Sequence, residues 1–248
     1  QAHVCSLEEL LVKQGKRTYK KYSALERVQV KMPERDATER AGCFHEVNLG
    51  YSQADALREA ERCIQCINPT CIEGCPVRID IPRFIRHLLL RDLEGAVDAI
   101  HESSPFPSVC GRVCPQESQC EAQCVLHKAK MEPVAIGGLE RFVGDVAKPV
   151  AERSAPAEVA LPEPLPLLGR VAIVGSGPGG LAAAADLVKL GADVTVYEAL
   201  HVVGGVLRYG IPSFRLPRDI IEREVKRLRD AGVRFQTEDG EPRWFGAS

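Results

Sequence analysis

The feature that most constrains this chain is the spacing of its cysteines. The sequence holds ten cysteines, and eight of them fall in two tight groups. The first group, C-x2-C-x4-C-x3-C followed by proline, consists of Cys63, Cys66, Cys71 and Cys75. The second group, C-x3-C-x5-C-x3-C, consists of Cys110, Cys114, Cys120 and Cys124. These thiols suffice for two metal centres, so the segments that carry them are expected to fold around such centres.

The spacing predicts iron–sulfur clusters. A cubane cluster takes soft thiolates that converge from a compact loop, and grouped cysteines of this kind supply them. The proline after Cys75 resembles the end of the bacterial ferredoxin run, in which the last cysteine ligates the other cluster. Zinc is the alternative, but zinc ribbons usually separate two C-x2-C pairs by a long gap. Disulfides are disfavoured, because grouped cysteines in a chain that shows no export signal are typical of metal ligands.

Composition argues against two classes of partner. The formal net charge of -2 provides no overall positive field for nucleic acid. The longest apolar runs, such as residues 84–90, are short and are interrupted by charged residues. A membrane span needs about 20 apolar residues. We therefore predict a cytoplasmic chain that binds no nucleic acid and has no membrane span.

The chain divides by composition into three stretches. Residues 1–150 predict a helical iron–sulfur domain and residues 151–168 a Pro/Ala-rich linker. Residues 169–248 predict a strand, glycine loop, helix, strand and another helix in that order. A capping box at Ser52 and Asp55 predicts a helix that delivers the first cysteines at its C-terminal end. The cysteine groups are therefore expected in loops between short helices.

A glycine-rich loop opens the third stretch. Residues 171–180 read VAIVGSGPGG, in which Gly175, Gly177 and Gly180 fit G-x-G-x-x-G after a short strand predicted to be buried. The first glycine allows the tight turn, the second lets the backbone approach a pyrophosphate, and the third lets helix and strand pack closely. Glu198 follows a second predicted strand, at the distance expected for an acid that binds a ribose diol. Such an acid disfavours a 2′-phosphate, so FAD and NAD remain as ligands.

The residues that follow Glu198 favour FAD over NAD. A second glycine pair, Gly204 and Gly205, would let the backbone pass close to a flavin. Arg215, in the segment IPSFRLP, could reach a phosphate or the edge of the flavin, and the alternative is a solvated arginine.

Five segments, taken in order, resemble one known family. They read GYSQADALREAERCIQCINPTCIEGCPVRIDIPRFI, CGRVCPQESQCEAQC, PVAIGGLERF, VAIVGSGPGGLAAA and VGGVLRYGIPSFRLP. The chain resembles the small (beta) subunit of bacterial glutamate synthase and, equally, the large subunit of NADH-dependent ferredoxin:NADP oxidoreductase. It also resembles the N-terminal part of dihydropyrimidine dehydrogenase. The resemblance runs from about Arg27 to about Phe235, and its motifs are highly specific in this order.

The resemblance implies an α+α/β fold class, with a helical two-[4Fe–4S] domain followed by the first part of a Rossmann-like FAD-binding domain over residues 169–248. It implies an oxidoreductase subunit that passes electrons between FAD and partner redox centres through two [4Fe–4S] clusters. The expected partners are larger redox subunits of a complex, with ferredoxin as a further candidate. The residues implied to hold FAD are Gly175, Ser176, Gly177, Pro178, Gly179, Gly180, Glu198, Gly205, Val206 and Arg215.

The resemblance also implies interleaved cluster ligands. In dihydropyrimidine dehydrogenase one ligand is a glutamine in an IGGLQ segment, and the matching segment here ends at Glu140. One cluster would then take Cys63, Cys66, Cys71 and Cys124. The other would take Cys75, Cys114, Cys120 and Glu140. The sequential alternative gives each cysteine group one cluster, makes Cys110 a ligand in place of Glu140, and leaves Glu140 in a surface pair.

The family continues beyond the last residue of this sequence, with a second glycine loop for NADPH and the segment that completes the FAD pocket. We therefore expect no NAD(P)H site and no catalytic residue within this chain, and hydride transfer is expected to need residues outside it. A fragment and a naturally short subunit both fit this expectation. The alternative function is a non-catalytic iron–sulfur wiring or assembly subunit with an incomplete flavin site.

Overall fold

The computed structural model describes residues 25–146 and 169–238. The helices are α1 (Ala37–Ala41), α2 (Gln53–Ala60), α3 (Thr70–Gly74), α4 (Ile81–Leu89), α5 (Leu93–His101), α6 (Pro107–Val113), α7 (Ile136–Val146), α8 (Pro178–Lys189), α9 (Val206–Tyr209) and α10 (Arg218–Asp230). The strands are β1 (Arg170–Val174), β2 (Asp193–Tyr197) and β3 (Arg234–Gln236). Two 3-10 helices, Gln116–Ser118 and Val125–Ala129, lie between α6 and α7.

The described residues form two compact units. The helical unit takes in those of Gln1–Arg35 and Asn48–Ala147, and the sheet unit takes in those of Asp36–Val47 and Lys148–Ser248. The predicted linker over 151–168 lies outside the described residues. The domain boundaries at residues 150 and 169 therefore stay predictions.

The polar side chains of Ser52, Asp80 and Asp92 cap α2, α4 and α5, and the sequence predicts the first of these caps. The Ser52 hydroxyl accepts from the Asp55 backbone N–H at 3.2 Å and donates to the Asp55 carboxylate at 2.7 Å, which is the predicted capping box. Asp80 and Asp92 accept from N–H groups in the first turns of α4 and α5. In the described part of the chain, no helix has both the length and the apolar composition that a membrane crossing requires.

One apolar core fills the helical unit. Phe84 and Ile85 of α4, Ile100 of α5 and Leu139 of α7 are fully buried within it. The buried Cys75 and Cys120 belong to this core, and the partly buried Cys63, Cys71 and Cys124 pack against it. The thiols therefore lie at the margin of a dry interior, where water is largely excluded.

Helices α6 and α7 approach each other closely through glycine. A Cβ atom on Gly111 would lie 2.5 Å from the backbone nitrogen of Arg141, and one on Gly144 would lie 2.5 Å from that of Ser108. The Arg112 guanidinium makes a two-point ion pair with Asp145, with N···O distances of 2.7 and 2.8 Å. This packing fixes α6, which carries Cys110, against α7, which carries Glu140.

The sheet unit is a parallel βαβ arrangement. The strand order is β1-β2-β3, with Val171 opposite Val194 and Val196 opposite Phe235. Val194 and Val196 are fully buried, whereas Val174 of β1 is 72% exposed. The prediction of a buried first strand is therefore wrong for the described sheet, because β1 lies at its edge and only one strand pairs with it.

Candidate metal centres and glycine-rich loop

One set of four thiols lines a single apolar cavity. These thiols are Cys63, Cys66, Cys71 and Cys124. Much of the remaining lining is aliphatic and comes from Ile64, Ile81, Ile85, Leu126, Val134 and Ile136. The set takes three cysteines from the first sequence group and one from the second, which is the combination that the interleaved scheme assigns to one cluster.

The short helix α3 explains how the two sequence groups meet. The Thr70 hydroxyl donates to the carbonyl of Gln123, so Cys71 lies near Cys124. At the other end of α3, a Cβ atom on Gly74 would lie 2.7 Å from the carbonyl oxygen of Gln119 and 3.0 Å from the Cα atom of Cys120. The chain between residues 119 and 124 thus runs alongside α3, and Cys75 emerges next to Cys120.

A second set of donors gathers around Cys120 and Cys114. Burial, followed by the nearby Glu121, Glu140 and Cys75, raises the pKa of Cys120 to about 12. A hydrogen bond from the Cys110 side chain lowers the pKa of Cys114, while burial and the neighbouring Glu140, Cys120 and Cys75 oppose that shift. Cys75, Cys114, Cys120 and Glu140 therefore share one electrostatic neighbourhood.

Glu140 is a buried carboxylate in the middle of α7. Glu140 is only 5% exposed, and its Oε1 atom has no hydrogen-bond partner among the described residues. Burial, followed by the nearby Cys110, raises its pKa well above the ordinary value. The surface pair that the sequential alternative gives to Glu140 is therefore wrong. A buried acceptor without a donor is costly, and a bound cation would satisfy it.

Cys110 lies beside the same donors but is engaged differently. Its thiol is 3.7 Å from the Ser104 hydroxyl and hydrogen-bonds the side chain of Cys114. The structure thus brings Cys110 and Glu140, the two alternatives for the eighth ligand, to one place. Cys110 lies within α6 and Cys71 within α3, so the expectation that all the cysteines sit in loops is wrong for these two.

A single zinc ion and a cubane cluster require different spacings of their ligands. A tetrahedral zinc site with bonds of about 2.3 Å would place its sulfur atoms about 3.8 Å apart. Within residues 25–146 and 169–238, no three Cys, His, Asp or Glu side chains converge closely enough to hold one metal ion. A cubane spreads its irons over the corners of a cube, so its ligands stand farther apart. Burial also raises the pKa of Cys63 to about 12, and iron would supply the positive charge that a buried thiolate needs.

Three charged residues buried near the thiols escaped the sequence reasoning. They are Glu59, Arg62 and Glu121. Two of them adjoin predicted ligands, since Arg62 precedes Cys63 and Glu121 follows Cys120. Charged residues next to ligand positions, with Glu59 and Arg62 three apart at the end of a helix, are the signal that could have identified them.

The glycine-rich loop has the geometry that its sequence predicts. Gly175 has a φ angle of +92°, which favours glycine, and its N–H donates to the carbonyl of Tyr197 at 2.7 Å. A Cβ atom on Gly180 would lie 2.0 Å from the carbonyl oxygen of Gly175. By contrast, Cβ atoms on Gly177 and Gly179 would meet nothing within 4 Å. Pro178 is the first residue of α8, so the exposed part of the loop opens onto the start of that helix.

Glu198 contacts this loop directly. Its carboxylate accepts hydrogen bonds from the Ser176 backbone N–H at 2.8 Å, from the Ser176 hydroxyl and from the Leu200 N–H at 3.0 Å. The buried Ser176 hydroxyl in turn accepts from the Gly204 N–H at 2.9 Å. Burial acts to raise the pKa of Glu198, but these hydrogen bonds outweigh it, so the pKa lies below its ordinary value.

The remaining residues that are predicted to bind the nucleotide differ in how they relate to the glycine-rich loop. A Cβ atom on Gly205 would lie 2.7 Å from the Cα atom of Gly177, so the second glycine pair packs against the first loop. Val206 begins α9 and is 56% exposed. Arg215 is exposed between α9 and α10, and no hydrogen bond of its side chain links it to the glycine loop among the described residues.

Two family models match the chain, one in each of these regions. A model described as dihydropyrimidine dehydrogenase domain II, 4Fe-4S cluster, matches residues 40–151. A model described as NAD(P)-binding Rossmann-like domain matches residues 173–218. The helical unit thus matches a [4Fe–4S] domain, and the sheet unit matches the start of a Rossmann-like NAD(P)-binding region. These matches confirm the predicted order of a helical [4Fe–4S] domain followed by the first part of a Rossmann-like domain.

Curated relatives extend this similarity along most of the chain. The glutamate synthase [NADPH] small chain of Azospirillum brasilense is 38% identical over 207 residues, which cover 82% of this chain and 41% of the relative. The NAD-dependent dihydropyrimidine dehydrogenase subunit PreT of Escherichia coli K12 is 39% identical over 189 residues, which cover 76% of this chain and 44% of the relative. The chain is similar to these two proteins over most of its own length. The resemblance predicted from the sequence is confirmed for both, and this chain spans less than half the length of each.

Proposed function

We propose that the chain is the iron–sulfur and flavin-binding part of an NAD(P)H-linked oxidoreductase complex. In this role it passes electrons between FAD and a partner's redox centre through two [4Fe–4S] clusters. The observation that carries the proposal is the sorting of the donors into two sets. One set lines a cavity with Cys124, and the other gathers Cys75 with Cys114 and Cys120.

The residues of the helical unit would hold and shield the clusters. Cys63, Cys66, Cys71 and Cys124 would hold one, and Cys75, Cys114, Cys120 and Glu140 the other. The aliphatic lining of the first cavity keeps water away, which strengthens the electrostatic effect of every nearby charge on the cluster. Bound clusters and flavin supply the redox chemistry, and the protein supplies ligands, orientation and electrostatics.

The glycine-rich loop would hold the dinucleotide. Gly177 and Gly179 leave open space for a pyrophosphate at the start of α8, where backbone N–H groups favour an anion. Glu198 would accept from a ribose hydroxyl in place of its bond to Ser176. We propose FAD as the ligand, with Gly205, Val206 and Arg215 toward the flavin. NAD(P), which the matching family model names, is the competing ligand.

The test is a purification of the chain, with its partners, in the absence of oxygen. The proposal predicts iron and sulfide sufficient for two cubanes, a broad absorbance shoulder with resolved flavin bands, and FAD released by acid in equal amount to the chain. A product with iron for fewer than two clusters would contradict it. Acid-released NAD(P) in place of FAD would exclude the flavin part of the proposal.

A second candidate function is an iron–sulfur wiring or assembly subunit that binds no flavin. The observation that favours it is the Glu198 carboxylate, which Ser176 and Leu200 already occupy within the chain. An intact complex with full iron and no flavin would support this candidate. Identification of the larger subunit that co-purifies would distinguish glutamate synthesis from dihydropyrimidine dehydrogenation, the two reactions that the relatives' names indicate.

A further inference from the structure

A buried charge network lies at the start of helix α7. Glu59 is 0% exposed and Arg62 is 1% exposed, and their Oε1 and Nη1 atoms are 2.6 Å apart. Glu121 is buried nearby, directly after Cys120. The proposed function gives none of these three residues a role, although a buried ion pair costs desolvation energy and so calls for an explanation.

The network fixes the backbone that leads into α7. Arg62 donates to the Pro133 carbonyl at 2.7 Å and to the Glu132 carbonyl at 2.5 Å. Glu59 Oε1 accepts from the Ala135 N–H at 2.8 Å, two residues farther along. These bonds span 70 to 76 residues of sequence and join the end of α2 to the segment before α7.

Glu121 completes the start of the helix. Its Oε1 atom accepts from the Gly137 N–H at 3.1 Å, within the first turn of α7. The first N–H groups of a helix have no partner inside the helix, and acceptors placed there stabilise it. Glu59 and Glu121 thus act where a capping side chain would, from two other parts of the chain.

The first turn of α7 controls where Glu140 lies. Glu140 follows Gly137 by three residues, so the two lie on nearly the same face of the helix, one turn apart. Farther along α7, a Cβ atom on Gly111 would lie 2.5 Å from the backbone nitrogen of Arg141, so α6 packs closely against the helix next to Glu140. A shift of the first turn would therefore move the Glu140 carboxylate relative to Cys114 and Cys120.

We propose that Glu121, together with the Glu59–Arg62 pair, is a positioning site that sets the place of the Glu140 carboxylate beside the second thiol set. The inference rests on the proposed function, which assigns Glu140 to the second cluster. The site acts through accepted hydrogen bonds. A substitution that keeps an acceptor at residue 121 therefore keeps the position of Glu140, and one that removes it does not.

The experiment compares Glu121→Leu with Glu121→Gln in the cluster-loaded full chain. The readouts are iron content and the EPR signals of both clusters during a reductive titration. We expect Glu121→Leu to shift the g values and the midpoint potential of the second cluster's signal and to leave the first signal unchanged. Glu121→Gln should keep the g values, because an amide oxygen still accepts from the Gly137 N–H. Glu117→Leu, at an exposed position on the same stretch, is the matched control and should change neither signal.

Three results would overturn the inference. They are an unchanged second signal in Glu121→Leu, equal changes in g values in the Leu and Gln variants, and loss of both clusters together in Glu121→Leu. The second result would indicate an effect of charge, and the third a general effect on folding. Loss of the second cluster's iron alone in Glu121→Leu, with retention in Glu121→Gln, would support it. Failure of the proposed function is a separate outcome. In that case both EPR signals of Glu140→Ala would be the same as those of the wild-type protein.

Discussion

The helical unit and the sheet unit prepare their sites in opposite ways. In the helical unit the donors are side chains on distant stretches of chain, and they include buried thiols and a buried carboxylate without a hydrogen-bond donor. In the sheet unit the site is made by backbone shape, with a positive φ at Gly175 and open space at Gly177. We therefore expect the first arrangement to depend on its bound group for stability, and the second to keep its shape without a ligand.

Removal of iron should give the largest difference in stability between the two units. Metal binding coupled to folding contributes on the order of 10 kcal/mol in small metal domains, so stripping the iron by a chelator should unfold much of the helical unit. Hydrogen exchange measured by mass spectrometry should show lost protection in α4 to α7 and retained protection in β1, β2 and α8. Equal protection of α4 to α7 with and without iron would remove the contrast.

The eighth ligand sharpens the contrast between side-chain and backbone sites. Replacement of Glu140 by Ala should alter the EPR signal of the second cluster or lose half of the bound iron, because the buried carboxylate is then absent. Replacement of Cys110 by Ala should keep both clusters, because the thiol of Cys110 bonds to Ser104 and Cys114. Loss of iron, or a changed signal, only in the Cys110 variant would refute the interleaved scheme.

Substitutions at two glycines test the stability of the sheet unit and its dinucleotide binding separately. A methyl group on Gly180 would collide with the Gly175 carbonyl, so Gly180→Ala should destabilise the unit by about 1–3 kcal/mol. Gly177→Ala meets nothing and should leave stability within about 0.5 kcal/mol of wild type. It should nevertheless weaken dinucleotide binding about tenfold or more, which corresponds to about 1.4 kcal/mol. Urea unfolding and retained FAD measure the two effects, and full FAD retention in Gly177→Ala would argue against a pyrophosphate at this loop.

Glu198 should give the smallest effect, and a pH-dependent one. Its folded pKa lies below the ordinary value of 4.5, so the stability that it contributes is present above that value and is lost as the pH falls through the folded pKa. The difference in unfolding free energy between the wild-type protein and Glu198→Gln should therefore be constant near neutral pH and shrink below about pH 4.5. A difference that grows on acidification would contradict this sign.

The parts of the fold that follow from local chemistry were predictable. The capping box at Ser52 and the glycine turn at Gly175 each depend on a few neighbouring residues. The short helix α3 and strand β3 were missed, because their few residues carry too little periodicity. The exposure of β1 could not be predicted, since it depends on which strands pair beside it.

The residue types of the candidate sites were predictable, but the contacts that hold those residues in place were not. Cysteine spacing predicted metal ligands, and the family resemblance supplied the interleaved pairing. The contact of α3 with residues 119–124 depends on the Thr70 hydroxyl and the absent side chain of Gly74, which no local pattern indicates. The bonds of Arg62 and Glu59 to residues 132–135 are also long-range and appear only in the folded structure.

The crossing of Cys75 and Cys124 between the two sequence groups is the most direct test of the account. The measurement compares EPR signals and iron content in Cys75→Ala, Cys124→Ala and two reference variants, Cys63→Ala and Cys114→Ala. The account predicts that Cys124→Ala abolishes the same signal as Cys63→Ala, and that Cys75→Ala abolishes the same signal as Cys114→Ala. If Cys75→Ala instead matches Cys63→Ala and Cys124→Ala matches Cys114→Ala, the clusters follow the sequence groups and the account is wrong.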